Sequence, residues 1–94
     1  MQIQIQTSPF KVNESVIEKV TRKLSELSKI NEHIEKCNVI LKKENHDDNK
    51  NFKVEVHLAI PKLDLFASEE AESYGRATHR VIADLKKQLI KNKK

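Results

Sequence analysis

The sequence has little of several residue types that specialised folds and sites require. Its 94 residues include one glycine, one cysteine, two prolines and no tryptophan. A single glycine excludes a glycine-rich phosphate-binding loop. A single cysteine excludes an intramolecular disulfide framework and indicates a reducing, cytoplasmic location. The low glycine and proline content argues against long linkers, so one domain is expected over residues 1–94.

Long apolar runs are also missing from the sequence. No run approaches the roughly 18 residues of a membrane span. The first ten residues, MQIQIQTSPF, lack the charged and apolar regions of a signal peptide. A helix lying on a membrane would have to expose the apolar side that a small core needs. We therefore expect no membrane partner.

Positive charge is concentrated towards the C-terminal end. Residues 74–94 hold seven Lys or Arg and one acidic residue, a net charge of +6, whereas residues 1–73 hold eleven basic and thirteen acidic residues, a net charge of −2. Such an uneven distribution favours a polyanionic partner. The alternative that charge alone leaves open is a solvated helix end without a ligand.

Alternation of apolar and polar residues predicts the strands. In FKVEVHLAI every second residue is apolar, so one face of that strand is apolar and the other is mostly polar. The segment ENHDDNKN, residues 44–51, has the composition of a hairpin turn. The predicted strands are residues 1–7, Lys36–Lys43, Phe52–Ile60 and 63–68.

Two amphipathic helices complete the predicted order β-α-β-β-β-α. Apolar residues spaced three and four apart follow Asn13, a favourable N-cap residue, and predict a first helix that ends near Glu32. The second helix is expected to start between Glu69 and Tyr74, because two serines in this region could cap it. These elements predict an α+β two-layer sandwich, with a four-stranded, mostly antiparallel sheet and both helices on one face.

The cations of the last helix are predicted to share one side. On a helical wheel of about 100° per residue, they lie within roughly a 60° arc opposite the apolar side. Lys86 and Lys93 flank this arc. The residues within it are Arg76, Arg80, Lys87, Lys91 and Lys94. Nucleic-acid phosphates would relieve the mutual repulsion of these charges.

Recognition of individual bases is not indicated. The aromatic residues are Phe10, Phe52, Phe66 and Tyr74, and two of them are expected in the core. No strand carries an aromatic pair like that of an RNA-recognition sheet. Contact with RNA is therefore expected through phosphates and shape.

No catalytic or metal-binding constellation is predicted. Cys37 begins an apolar strand and is expected to be a buried small side chain, without neighbours at metal-ligand spacing. His57 is expected to be solvated on the polar sheet face. His46 and the two aspartates that follow it look like a weak cation site, but the composition of a loop explains this cluster better. We expect no metal, no cofactor and no small-molecule substrate, although a small enzyme using His57 or Cys37 is one alternative.

The chain resembles a known family, most strongly over its last third. The stretch LFASEEAESYGRATHRVIADLKKQLIKNKK, with its LKKQL block, is similar to the terminal pattern of the short ribosome hibernation-promoting factors. These are also known as ribosome-associated inhibitors or sigma-factor modulation proteins. Arg22 and Lys23 match a basic pair on the family's first helix, and the resemblance covers essentially all 94 residues.

The resemblance implies a fold akin to a double-stranded-RNA-binding domain and a non-enzymatic translation inhibitor. Such a protein would bind ribosomal RNA between the head and body of the small subunit and block messenger and transfer RNA sites. The resemblance further implies a monomer when free, here without the C-terminal dimerisation domain of long family members. The RNA-binding residues it implies are Arg22, Lys23, Lys86, Lys87, Lys91, Lys93 and Lys94, to which the helical wheel adds Arg76 and Arg80.

Some residues depart from the family pattern. His79 stands where an acidic residue is usual, and Glu26 where a basic one is frequent. Gly75 and Arg76 replace better helix formers or acidic residues. These changes make the second helix more basic and the first less so.

The alternative function is a protein-interaction module that modulates a transcription factor through the open sheet face.

Overall fold

Seven helices and strands make up the described part of the chain, which is residues 1–7, 11–44 and 52–92 of the computed structural model. Their order confirms the predicted α+β class, with the first helix divided in two. The elements are β1 (Gln2–Thr7), α1 (Glu14–Leu24), α2 (Leu27–Ile30), β2 (Lys36–Lys43), β3 (Phe52–Ile60), β4 (Leu63–Ala71) and α3 (Tyr74–Lys91). The predicted hairpin turn falls largely on residues 45–51, outside the described residues.

The four strands form one sheet in the order β1-β2-β3-β4. β1 pairs with β2 in parallel, because the chain crosses over through α1 and α2 before it returns to the sheet. β2, β3 and β4 pair antiparallel, and Pro61 and Lys62 form the tight connection between the last two. Lys62 has a φ of 66°, a left-handed conformation typical of the third residue of a type II turn. The mostly antiparallel sheet is thus confirmed.

The first helix breaks near Ser25, where the sequence predicted continuity to about Glu32. The hydroxyl of Ser25 donates to the carbonyl oxygen of Arg22 at 2.6 Å, and that of Ser28 donates to the carbonyl of Ser25 at 2.7 Å. Serine hydroxyls that compete for backbone carbonyls disturb a regular helix. Backbone bonds three residues apart follow, and α2 ends at Ile30.

β4 is longer than predicted, because it reaches Ala71 and pairs with all of β3. Its last three residues, Glu69 to Ala71, have low strand propensity, so composition alone did not reveal them. The register places Lys53 directly opposite Glu70, and such opposite charges stabilise cross-strand neighbours.

The core lies between one face of the sheet and the helices. α3 packs on β3 and β4, and α1 packs beside α3. Alternation along the strands sends every second side chain into this layer. The fully buried large or branched side chains are Val20, Leu24, Leu27, Val39, Leu41, Val54, Leu58, Val81 and Leu85. Because the helices cover one face, the opposite sheet face carries the mostly polar half of each strand, with Ile40 and Phe66 as exposed apolar side chains.

Candidate nucleic-acid interface

α3 begins at Tyr74, at the end of the range in which the sequence predicted its start. Ser73 is the N-cap, and its hydroxyl accepts a hydrogen bond from the backbone N–H of Arg76 at 3.2 Å. The helix has 18 residues and is therefore about 27 Å long at about 1.5 Å per residue. The side chains that it buries are Tyr74, Ala77, Thr78, Val81, Ile82, Leu85 and Leu89.

The side of α3 turned away from the core carries a cationic ridge, defined here as Arg76, Arg80, Lys87 and Lys91. All four side chains are exposed, as the helical wheel predicted. The ridge extends over most of the helix, because Arg76 lies in its first turn and Lys91 in its last. It therefore presents a line of positive charge on a helix that the core holds in place.

The two ends of the ridge differ in their contacts. Nη1 of Arg76 lies 3.8 Å from the carboxylate of Glu72, and Nη1 of Arg80 donates to the carbonyl oxygen of Glu70 at 3.0 Å. Within residues 1–7, 11–44 and 52–92, the side chains of Lys87 and Lys91 have no hydrogen-bond or ion-pair partner. The C-terminal half of the ridge is consequently the part whose charge is least compensated within the protein.

Arg80 also helps to cover the outer edge of β4. Gln88, two helical turns further on, donates from Nε2 to the carbonyl oxygen of Phe66 at 2.9 Å. Side-chain donors on α3 thus reach carbonyls of an edge strand that would otherwise stand open. The structure gives Arg80 this internal role in addition to the RNA contact expected from the sequence.

Two further cations lie between α1 and α3, and we call Lys23 and Lys86 the interhelix cations. Nζ of Lys23 donates to the carbonyl oxygen of Gly75 at 3.4 Å. Nζ of Lys86 lies 4.0 Å from the carboxylate of Glu26, at the limit of an ion pair. An exposed ion pair such as that of Lys86 contributes about 0–1 kcal/mol, so a phosphate can replace Glu26 as its partner at small cost.

The seven predicted RNA-binding residues that the structure describes therefore do not form a single stripe. Lys86 points towards Glu26 in the turn between α1 and α2, whereas Arg80 on the same helix contacts β4. Arg22 is exposed next to Lys23 at the end of α1. Lys93 and Lys94 lie outside the described residues.

Helix dipoles account for some of these cations but not for all. Arg22 and Lys23 lie in the last turn of α1, and Lys91 in the last turn of α3, where a cation stabilises the helix by about 0.3–1 kcal/mol. Arg76 lies in the first turn of α3, which contains no acidic residue. A cation there opposes the dipole, and the nearby Glu72 compensates for part of that cost. The position of Arg76 is therefore one that helix stability does not explain.

The open face of the sheet holds a pair of rings that the sequence reasoning missed. The rings of His57 on β3 and Phe66 on β4 are stacked, with centroids 4.6 Å apart and planes 16° from parallel. The pair joins a histidine and a phenylalanine on neighbouring strands, so it is not visible as an aromatic pair within one strand. Alternation in both strands was the signal that could have found it, since it places both residues on the open face.

His57 lies on the open sheet face as predicted, but its ring is not simply solvated, and that part of the prediction was wrong. Its Nδ1 lies 3.4 Å from Nδ2 of Asn38, and its Nε2 lies 3.1 Å from the carboxylate of Asp64. Contacts at both ring nitrogens fix the plane of the imidazole. Together with the stacking on Phe66, they make His57 a positioned part of the sheet face.

Cys37 is fully buried, as the sequence predicted. Desolvation in the core raises the pKa of its thiol to about 11, so the thiol stays protonated at neutral pH. A thiol in this state is a poor nucleophile and a poor metal ligand. Across the described residues, no three His, Cys, Asp or Glu side chains are grouped as metal ligands would be.

The helices described here are α1, α2 and α3, and none combines the length and the apolar character needed to cross a membrane.

Two solved structures have closely similar folds. A ribosomal subunit interface protein from Coxiella burnetii superposes with a TM-score of 0.83 at 19% sequence identity, covering 99% of this chain and 98% of that one. The N-terminal domain of Protein Y from Thermus thermophilus gives a TM-score of 0.82 at 18% identity, covering 97% of this chain and 98% of that one. At such identities the likeness shows the fold.

Sequence comparison supplies the family. No curated protein matches the chain significantly. The family described as sigma 54 modulation protein / S30EA ribosomal protein matches residues 3–94, which is nearly the whole sequence. The match confirms the relationship indicated by the LKKQL block and by the paired basic residues of the first helix. The chain belongs to the sigma 54 modulation protein / S30EA ribosomal protein family.

Proposed function

We propose that this protein binds the small ribosomal subunit through phosphates of its ribosomal RNA and inhibits translation by occupying messenger and transfer RNA sites. It acts in the cytoplasm by binding, without catalysing a reaction. Family membership supports this proposal. So does the fold shared with a protein described as a ribosomal subunit interface protein.

The observation that carries the proposal is the uncompensated charge of Lys87 and Lys91. Both side chains are exposed on a rigid helix. Neither has a hydrogen-bond or ion-pair partner within the described parts of the chain. Lysines that contact phosphates gain affinity because they release condensed counterions from the nucleic acid. A solvated face would explain scattered cations, but not four of them aligned along the side opposite the core.

The interhelix cations and Arg22 provide a second contact region on the other flank of α3. Lys23 and Lys86 hold only weak intramolecular contacts, at 3.4 Å and 4.0 Å. Ribosomal RNA phosphates would replace these contacts at small cost. A surface with cations on both flanks of a helix suits a cleft lined by RNA better than a single flat RNA surface.

The proposal is tested by reversing two charges, in the variant Lys87→Glu/Lys91→Glu. We expect it to lose co-sedimentation with purified small subunits, because each reversal removes an attraction and adds a repulsion. Both side chains are exposed, so the circular dichroism spectrum and the midpoint of urea unfolding should change little.

A matched control is Lys11→Glu/Lys36→Glu, which changes the net charge equally at exposed positions off the helix. This control should sediment almost as the original protein does. If the Lys87→Glu/Lys91→Glu variant bound small subunits as tightly as the control, the ridge would not be the binding surface.

The blocking of RNA sites has its own test. The protein should reduce binding of a messenger RNA and an initiator transfer RNA to small subunits, with a dependence on protein concentration that matches its own binding curve. Simultaneous binding of all three would refute this part of the proposal.

A further inference from the structure

The open sheet face combines features that recognise a nucleobase. Phe66 is 66% exposed although it lies within a regular strand. His57 covers one side of its ring, so the opposite side faces solvent. Exposed rings on a sheet are surfaces on which unpaired bases stack, because every base has a π face.

Amide side chains lie in line with these rings across the sheet. The strand register places Gln4, Asn38, His57 and Phe66 beside one another on β1, β2, β3 and β4. They line a shallow depression of about 660 Å³, which also reaches Asp84 on α3. Amides offer both donors and acceptors, and a carboxylate accepts from the amino group of a base.

The ring pair is held in position before any ligand arrives. Nδ1 of His57 lies 3.4 Å from Nδ2 of Asn38, and Nε2 lies 3.1 Å from the carboxylate of Asp64, so polar contacts hold the ring at both nitrogens. Gln88 fixes the backbone of Phe66 from the other side. A stacking surface that is already ordered loses little conformational entropy on binding.

The charges on this face favour a base over a phosphate. Glu55 lies 3.0 Å from Nζ of Lys42 and 3.8 Å from Nζ of Lys53, so each of these lysines already has an acidic partner. Asp64 adds another acidic group beside the rings. Such a face is a poor site for an anion, whereas an uncharged aromatic base fits it.

The cationic ridge carries the uncompensated positive charge that this face lacks. Gln88 joins α3 to β4 at Phe66, with a distance of 2.9 Å to the carbonyl oxygen. Lys87 precedes Gln88, and Lys91 follows it by three residues, on the exposed side of the helix. Both lysines therefore lie within one helical turn of Gln88, the residue of α3 that contacts β4 at Phe66.

We propose that the open sheet face binds an unpaired nucleobase of an RNA strand whose phosphates lie on the cationic ridge, with the base stacked on Phe66. The inference rests on the proposed function for the identity of the partner as RNA. It adds a binding site on the face opposite the helices and predicts a preference for single-stranded over double-stranded RNA.

The affinity test uses Phe66→Ala with hexauridylate and hexaadenylate RNA in a fluorescence anisotropy assay. Stacking of one base on an aromatic side chain corresponds to a loss of about 5- to 150-fold in affinity on substitution by alanine. Phe66→Tyr keeps an aromatic ring and should retain most of the affinity. Because Phe66 is largely exposed, both variants should unfold at similar urea concentrations.

A spectroscopic test reports stacking directly. The protein contains no tryptophan, so Phe66→Trp introduces a single reporter on the sheet face. The single-stranded hexamers should quench its emission, whereas the control Ile30→Trp on α2 should respond little. An RNA duplex of equal length should quench neither variant.

Each result separates the base site from ribosome binding itself. If the protein sediments with small subunits but Phe66→Ala binds the hexamers unchanged, the base site is refuted and the proposed function stands. If sedimentation is absent, the proposed function fails. If sedimentation is present but independent of Lys87 and Lys91, the ridge is not the binding surface, and the base site that relies on it is refuted as well. A third outcome is that Phe66→Ala keeps its RNA affinity but no longer binds a protein partner that remains bound after nuclease treatment. This outcome would also refute the base site and would assign the sheet face to protein docking.

Discussion

Replacing Thr78 by valine should stabilise the protein. Thr78 is fully buried on α3, and its hydroxyl Oγ1 has no hydrogen-bond partner in the described part of the chain. A buried hydroxyl without a partner costs about 1–3 kcal/mol. Valine has nearly the same shape and a similar helix propensity, so little packing is lost. We expect the free energy of unfolding to rise by about 1–2 kcal/mol after small packing losses.

Urea unfolding measures this change. The midpoint should increase while the slope m stays constant, because the variant exposes the same surface on unfolding. The melting temperature should rise by about 4–8 °C per kcal/mol for a domain of this size. Thr21→Val is a suitable control, since Thr21 on α1 is only partly buried. That substitution should change stability by less than about 0.5 kcal/mol.

A lower midpoint for Thr78→Val would refute the reasoning. It would mean that the hydroxyl makes a favourable bond in solution, for example to the carbonyl oxygen one turn earlier at Tyr74. The same reasoning applies to Tyr74. Its hydroxyl is also buried without a hydrogen-bond partner among the described residues.

Two more predictions concern stability. Gly75→Ala should stabilise α3 by about 0.5–1 kcal/mol in thermal unfolding, because glycine is a poor helix former. The added Cβ would meet Nζ of Lys23 at 3.7 Å, an ordinary contact, and a lower melting temperature would show that Lys23 needs the closer approach. Stability should also fall as pH rises above about 9, because an unfolded thiol ionises there, whereas burial raises the pKa of Cys37 to about 11. This contribution should reach about 2–3 kcal/mol near pH 11, and an unchanged pH profile in Cys37→Ala would contradict it.

The fold followed largely from local patterns in the sequence. The alternation in β3 defined one buried and one open face, and the spacing of Val81, Leu85 and Leu89 oriented α3. The boundaries were harder to predict because they depend on long-range contacts. β4 extends to Ala71 since β3 is long enough to pair with it, and that partner is not visible in the composition of residues 69–71.

The sequence predicted which charged side chains of the candidate site are exposed, but not which groups of the protein they contact. The helical wheel correctly placed Arg76, Arg80, Lys87 and Lys91 on the exposed side of the helix. Which of them already contact the protein depends on neighbours that are distant in sequence. Arg80 reaches a carbonyl ten residues earlier. The stacking of His57 on Phe66 likewise depends on the pairing of two strands.

The salt dependence of small-subunit binding tests the central claim most directly. The slope of log affinity against log salt concentration decreases by about 0.7–0.9 for each phosphate contact that is removed. The variant Lys87→Gln/Lys91→Gln should therefore have a slope less steep than that of the original protein by about 1.5. A control Lys11→Gln/Lys36→Gln should keep the original slope. Equal slopes for the ridge variant and the original protein would contradict the claim that the ridge binds ribosomal RNA.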